Sequence, residues 1–561
     1  MKPISDRKRK FLCLSCLSVF AIMMMMLAAC NSDDCNEQAN RAKPNPYLSS
    51  DLYGITHFDS SQSDSTPYGP PAGVFNVEGE QQPISYAGPI NIITLASTNK
   101  NYMWGIGTDR VSYIYNGDGQ WAPLADFQAL ADASGNALPA ISDTSLRAFG
   151  ESSAVGMDVT EMDDYLKSLF GDNYAARFGN GTYSVVDKNN VLYANYGRNL
   201  YAFELINPDK PSDGIRIRHV LEDIVDQIQG NNPAPPANTR ISSVSMTYNG
   251  YVVVGFTNGV AVIDRDFNIN LASFYRFETD EAVSNSLSVD ENNGIYVATN
   301  KLMHKLVWTG TTLSDDESDG AWSCPYDTAA ALPPIIKFDQ GTGSTPTLMG
   351  FGDNADKLVV ITDGSERMKL VAFWRDAIPD GFVQKPETAS RRIAGQIQVT
   401  CGFPNVPDWI QSEQSVVVYG YGAFVVNNIP ETVSSDIVGK NKILQVAVMG
   451  PAYDSSYGVE RFEWDSTADE WHSAWTRSDV SSTSMVPIHS RSGNMALING
   501  YTPQDGWEVT GLDWDTGITV HRTIFGDVNF GNGAYAILQY LGNKNLLFNS
   551  IAGPFRVHYG R

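Results

Sequence analysis

The side chains best suited to chemistry in this chain sit in turns rather than in a compact motif. Ile361-Thr362-Asp363-Gly364-Ser365-Glu366-Arg367 is the richest polar turn, and its Asp363 and Arg367 could grip a polar ligand between them or pair with each other. The competing reading is an Asx turn, in which the Asp363 carboxylate bonds its own backbone. His489 follows the short apolar run 485–488 and could donate or accept a proton near neutral pH at one end of the fold, or simply hold a turn. Glu413 is the charged member of Gln411-Ser412-Glu413-Gln414-Ser415. These four are the first candidates for a catalytic site. The seven histidines form neither HExxH nor an i, i+4 pair, so no metal motif is present. No GxSxG marks a hydrolase nucleophile.

The run Asp315-Asp316-Glu317-Ser318-Asp319 has the carboxylates a calcium ion prefers, without EF-hand spacing, and reads equally as a solvated loop. Of six cysteines, Cys324 and Cys401 are spaced for no zinc motif and could form one disulfide in an oxidising compartment. Trp464, Trp471, Trp475, Trp507 and Trp514 could stack on sugar rings or fill gaps between layers.

The elements that must position these residues are strands. In 243–266, SVSMTYNGYVVVGFTNGVAVIDRD, apolar runs are separated by Asn249-Gly250 and Asn258-Gly259. Asn-Gly predicts a hairpin with a type I′ turn and positive φ at both central residues. The pattern recurs eight times, with second strands starting near Tyr102, Val191, Tyr251, Ile295, Leu358, Val416, Met495 and Leu546. Repeated four-stranded units at roughly 45 to 90 residues predict an all-β fold, a β-propeller, with eight blades preferred and seven as the alternative. The further pair 443–448 and 459–463 reads as strands that could change the tally. Only 162–170 and 220–229 look helical. The tripeptides 182–184, 243–245, 286–288, 345–347 and 483–485 place small hydroxyl residues ahead of each hairpin, where the innermost strand would line a central channel. On that reading 411–415 is one of these strands. The last strand, 555–559, could close the ring in one blade with 90–95.

The first thirty residues give an address. Lys2, Arg7, Lys8, Arg9 and Lys10 precede an apolar stretch, 11–27, which ends in Leu27-Ala28-Ala29-Cys30. This resembles the lipobox of bacterial lipoproteins. The resemblance implies a signal peptide over 1–29, acylation (palmitate among the chains) of Cys30, and a bacterial cell-envelope location. Asn31 in place of Asp favours the outer membrane by analogy. Residues 30–50 read as a flexible tether carrying Cys35, and 51–561 as one propeller domain in which 51–88 is ordered but irregular and packed across one face. The net charge of −24 excludes nucleic acid as a partner, and loss of the leader removes five basic residues and Asp6, making the chain more acidic.

Trp507-Glu508-Val509-Thr510-Gly511-Leu512-Asp513-Trp514-Asp515-Thr516-Gly517 resembles the repeat of quinoprotein-like (PQQ-like repeat) propellers, with weaker copies at 262–264 and 200–203. That family includes quinone-dependent alcohol dehydrogenases and a non-catalytic outer-membrane assembly lipoprotein. Its quinone enzymes carry a vicinal cysteine pair that this chain lacks, so no cofactor is supported. Runs such as 290–294 resemble gluconolactonase-like and NHL propellers at fold level. The preferred expectation is a membrane-anchored envelope lipoprotein in the periplasm, binding a ligand or protein partner on a propeller face. The alternative is an envelope enzyme on the same scaffold, a quinoprotein-type oxidoreductase or a polysaccharide lyase or hydrolase.

Overall fold

The structure is a computed structural model and describes residues 40–77, 93–117, 120–128, 130, 137, 140–230, 233–353 and 355–559. The leader 1–29, Cys30 and Cys35 lie outside these residues. Among these described residues the strands form eight sheets in chain order, over 93–127, 185–221, 241–276, 288–325, 347–398, 417–481, 488–526 and 539–557. The fold is a β-propeller.

One strand shows how sequence becomes ring. In Val252–Phe256 every residue is buried. Successive side chains of a strand point to opposite faces. Val252, Val254 and Phe256 therefore pack against Val185 and Tyr193 of the second sheet, while Val253 packs against Val289 and Val297 of the fourth. The run is continuously apolar because both faces are interiors. The same device repeats around the ring. Trp104 meets Leu192 between the first and second sheets, Tyr296 meets Phe373 between the fourth and fifth, and Val360 meets Val425 between the fifth and sixth. Phe424 meets Ile498 between the sixth and seventh, and Leu497 meets Phe548 between the seventh and eighth. Met103 against Leu547 joins the eighth sheet back to the first. Burying each such side chain contributes roughly 1.5–3 kcal/mol. The tryptophans serve the same end: Trp464 and Trp471 fill one core and Trp514 another.

Several details depart from the expectations. The last strand, Gly553–Val557, belongs to a three-stranded sheet of its own, and Ile93–Ala96 opens the first sheet, so the two do not share a blade. Lys442–Val448 is a helix, capped by Asn441 and buried along most of its length, and not a strand. Strand 459–463 lies within Tyr457–Asp465, the third strand of the sixth sheet. The run at Val416 is that sheet's innermost strand, Val417–Tyr419, so 411–415 precedes the sheet instead of lining it. Asn249 and Asn258 keep negative φ, so neither turn is type I′. Gly259 is required for another reason: a Cβ there would lie 2.4 Å from the Tyr275 carbonyl oxygen. Helix Val159–Phe170 starts with a full capping box between Asp158 and Glu161. Val220 belongs to strand Ile215–Leu221, and the helix after it is Ile224–Gln229. A further helix, Asp143–Glu151, packs in the same core as Val159–Phe170 and Lys442–Val448.

The centre of the ring is occupied by the chain itself. Residues 45–66 pass from sheet to sheet around the inside of the ring, and they bond the first strand of each described sheet, or the residue next to it. Tyr53 O accepts from Ala96 N, Gly54 O from Val186 N, Ser60 O from Val289 N, and Ser61 O from Leu348 N. Ser63 O accepts from Val418 N and Asp64 O from His489 N. Asn45 Nδ2 donates to Met246 O at 3.0 Å and Tyr53 Oη to Tyr540 O at 2.8 Å. Ser65–Thr66 then adds a parallel strand to the seventh sheet's inner edge, and Gly73–Asn76 another to its outer edge. Asn45 and Leu48, within the expected tether, are buried. Five non-glycine residues of this axial segment hold positive φ: Tyr53, His57, Phe58, Gln62 and Asp64. That conformation costs free energy and persists only where the surroundings dictate it.

Candidate functional site

Where the axial segment meets the starts of the innermost strands, a cavity of about 320 Å3 opens at the axis. Thr56 and His57 of the segment line it, with Tyr183, Ser242, Asn285 and Glu413 from around the ring. It reaches solvent beside Ala176, Gly179 and Arg240, which are exposed.

His57 is buried and its Nδ1 donates to both carboxylate oxygens of Asp64, at 3.0 and 2.9 Å. This bond fixes the tautomer, so the neutral ring has an unprotonated Nε2. Burial raises the Asp64 carboxyl above its ordinary value, against the opposing pull of His57. The Tyr183 ring stacks on His57 with centroids 5.9 Å apart. Its hydroxyl donates to Asn285 Oδ1, which also accepts from Thr345 Oγ1 at 3.1 Å. Asn285 Nδ2 in turn donates to Gly343 O.

Gly343 leads to the second titrating group. A Cβ on Gly343 would lie 2.4 Å from Ser412 O and 2.6 Å from Glu413 Oε2, so only glycine lets the two loops meet. Glu413 N donates to Asn428 Oδ1 at 2.9 Å, and Asn428 Nδ2 to Thr483 O at 2.7 Å, which pins the Glu413 backbone. Glu413 is 6% exposed, and its Oε2 has no hydrogen-bond partner among the described residues. Lys337 Nζ stands 3.9 Å from that oxygen and donates instead to Gly341 O at 2.9 Å and Ser412 O at 3.2 Å. Burial pushes the Glu413 carboxyl up to about 8, although the Lys337 charge works the other way. Burial also lowers Lys337. Helix Lys442–Val448 sets the Lys337 loop, because Gln445 Oε1 accepts from Ile336 N at 2.8 Å. Ile336 is held at φ +68°, an outlier for a β-branched residue.

The other expected site residues lie elsewhere. Asp363 closes its own turn, accepting from Ser365 N at 3.1 Å and Lys369 N at 2.8 Å, and burial raises it to about 6. Arg367 is spent on the carbonyls of Pro407 (2.8 Å) and Val406 (3.1 Å) on the surface. His489 is fully buried, bonded to Ser65 Oγ at 3.0 Å and packed between Tyr419 and Trp514; burial holds it neutral by lowering it to about 3. Of the four, Glu413 alone lines the cavity. Cys324 and Cys401 are both free, with no bridge between them, because they sit in different cores on opposite sides of the fifth sheet. Asp316 caps the single turn Glu317–Asp319, and among the described residues no three His, Cys, Asp or Glu side chains gather as for a metal. His57 and Asp64 escaped the sequence reading because nothing in the run His57-Phe58-Asp59-Ser60-Ser61-Gln62-Ser63-Asp64 signals a loop at positive φ.

No family model matches the chain. An uncharacterized protein of Archaeoglobus fulgidus is 32% identical over 317 residues, covering 55% of this chain and 58% of that protein's length. Among solved structures, the quinohemoprotein alcohol dehydrogenase of Comamonas testosteroni is similar with a TM-score of 0.45 and 10% identity, covering 92% of this chain and 78% of the other. A europium-containing methanol dehydrogenase is similar with a TM-score of 0.47 and 9% identity, covering 92% and 90%.

Proposed function

We propose that this chain is a lipid-anchored envelope protein, on an eight-bladed propeller, that binds a small hydroxyl-rich ligand in the axial cavity. The observation that carries the reading is the cavity itself, walled by Thr56, His57, Tyr183, Ser242, Asn285 and Glu413. The rings of Tyr183 and Phe338, both on the cavity wall, suit stacking on such a ligand. The lipid on Cys30 and the outer-membrane address rest on the lipobox. Tyr248 Oη donates to Lys43 O, and Gly250 abuts Tyr47, so the chain joins the ring at the strand ends opposite Ile241 and Ser242, which line the cavity.

Saturation-transfer NMR on the protein with a panel of neutral sugars, polyols and sugar acids tests the ligand. Contact with at least one member, abolished by Glu413→Ala with an unchanged circular dichroism spectrum, is expected. No contact across the panel, or contact indifferent to Glu413, contradicts it. Cys30→Ser should move the protein from the membrane to the soluble fraction of cells; retention in the membrane would refute the anchor.

A further inference from the structure

We infer that the ligand of the axial cavity is an acidic sugar, whose carboxylate or phosphate seats on Arg240 at the cavity mouth while its hydroxyl-bearing body sits inside. The inference rests on the ligand reading above and goes beyond it to the charge of the ligand and the residue that selects it.

The fold carries Arg240 to the mouth on a fixed backbone. It stands one residue ahead of the innermost strand of the third sheet, Ile241–Met246. Its N–H donates to Thr257 Oγ1 at 3.3 Å, and its carbonyl accepts from Thr257 N at 3.0 Å. The residue is exposed and lines the cavity beside Ile241 and Ser242.

The guanidinium is unspent. It makes no hydrogen bond or ion pair among the described residues. Aspartate and glutamate outnumber lysine and arginine 63 to 39 in this chain, so a basic side chain without a carboxylate in contact is the exception. Arg198 pairs with Asp223 and Asp226, Arg265 with Asp187, and Arg522 with Asp505 and Glu508. Asp339 is the carboxylate whose charge acts on Arg240. It is already engaged, accepting from Gly341 N at 2.8 Å and held by the Lys337 charge.

The cavity wall does not offset this charge. Arg240 is the one lysine or arginine lining it, and Glu413 the one carboxylate. Burial pushes Glu413 up to about 8, so at neutral pH it is largely protonated. The mouth therefore presents a fixed positive charge in a protein of net charge −24. A cleft lined by one sign of charge concentrates ions of the other. The planar fork of a guanidinium matches two oxygens of a carboxylate or of a phosphate. Phe338 and Tyr535, with ring centroids 5.7 Å apart, border the same space and offer apolar faces to a sugar ring. At about 320 Å3 the cavity lies at the lower end of the roughly 300–1,000 Å3 typical of small-molecule sites, which suits a single sugar more than a polymer.

The test compares matched ligands at neutral pH by saturation-transfer NMR and calorimetry: galacturonate with galactose, gluconate with sorbitol, and glucose-6-phosphate with glucose. At least one acid should bind roughly 10- to 100-fold more tightly than its neutral partner, as a hydrogen bond to a charged group provides. Arg240→Gln should erase that difference by weakening the acid and leaving the neutral partner unchanged. Arg240→Lys, which keeps the charge and loses the fork, should fall between the two. Melting curves confirm that both variants are folded. A response from the carboxylates or from the phosphate supports the inference and tells which oxyanion the site takes. Equal binding of acids and neutral partners, or a preference for acids that survives Arg240→Gln, overturns the inference and leaves the binding reading standing. Contact with no member of the set overturns both.

Discussion

The ring and the segment that fills it are held by different forces. In the ring, paired strands satisfy their own backbone, and adjacent sheets are joined by apolar side chains such as Phe256 and Val253. In the axial segment the backbone itself makes the tertiary contacts: carbonyls of Tyr53, Gly54, Ser60, Ser61, Ser63 and Asp64 accept from six different sheets. Ring contacts are distributed, since eight separate apolar cores among the described residues share the load. Axial contacts are not, because one stretch of chain serves every sheet. The difference places chemistry where the two meet: repetition supplies a rigid wall, and the single irregular segment supplies His57 and Asp64.

Deleting 40–66 would strip the acceptors from the amides of Ala96, Val186, Val289, Leu348, Val418 and His489. At roughly 1–3 kcal/mol per buried unpaired group, six amides lose about 6–18 kcal/mol, comparable to an ordinary folding free energy of about 5–15 kcal/mol. Cooperative thermal unfolding should therefore vanish, whereas a chain beginning at residue 40 should melt like the mature protein. A folded, cooperative 67–561 would break the comparison.

Acid should expose the seam between the two regions next. His489, whose backbone N–H and ring both bond the segment, has a folded-state value near 3 against 6.5 unfolded. A depressed value stabilises above the unfolded pKa and is lost as pH falls through the folded one. Each unit is about 1.4 kcal/mol, so several kcal/mol should disappear between pH 6.5 and 3. His489→Gln should lose less over that range in urea titrations; a parallel pH dependence would contradict the assignment.

A single ring core should show a smaller, local effect. Phe256 is fully buried between the second and third sheets, and Phe256→Ala should cost roughly 3–5 kcal/mol with the axial amides still protected. Smaller again is Tyr53→Phe. The hydroxyl joins Tyr540 O at 2.8 Å and Thr66 Oγ1 at 3.0 Å, and its removal should cost about 1–3 kcal/mol. The melting midpoint reports both, and equal losses would erase the distinction between packing and axial bonding.

Much of the ring was legible because both faces of each blade are interiors. Val252–Phe256 must then be apolar throughout, and a turn must follow. The hydroxyl tripeptides fall at or beside the innermost strands, where Ser243, Ser245 and Ser288 have buried hydroxyls with no partner among the described residues. Glu413 is legible as an odd charge, but 411–415 precedes the sixth sheet, whose first hairpin turn is Tyr419–Gly422. The axial segment was not legible. Its partners lie as far as 487 residues away in sequence, and its positive φ values fall on Tyr, His, Phe, Gln and Asp, which carry no turn signal. The cysteine pair misled because two sides of one sheet look alike in a sequence.

Hydrogen exchange resolved to single amides tests the central claim most directly. Val289, Leu348, Val418 and His489 donate to the axial segment. If that segment fills the ring and floors the site, these four amides, with that of Tyr53, should exchange as slowly as Val254 in the heart of the third sheet. Exchange of all five at the rate of surface turns, with Val254 still protected, would show a ring that stands without its centre and would contradict the account.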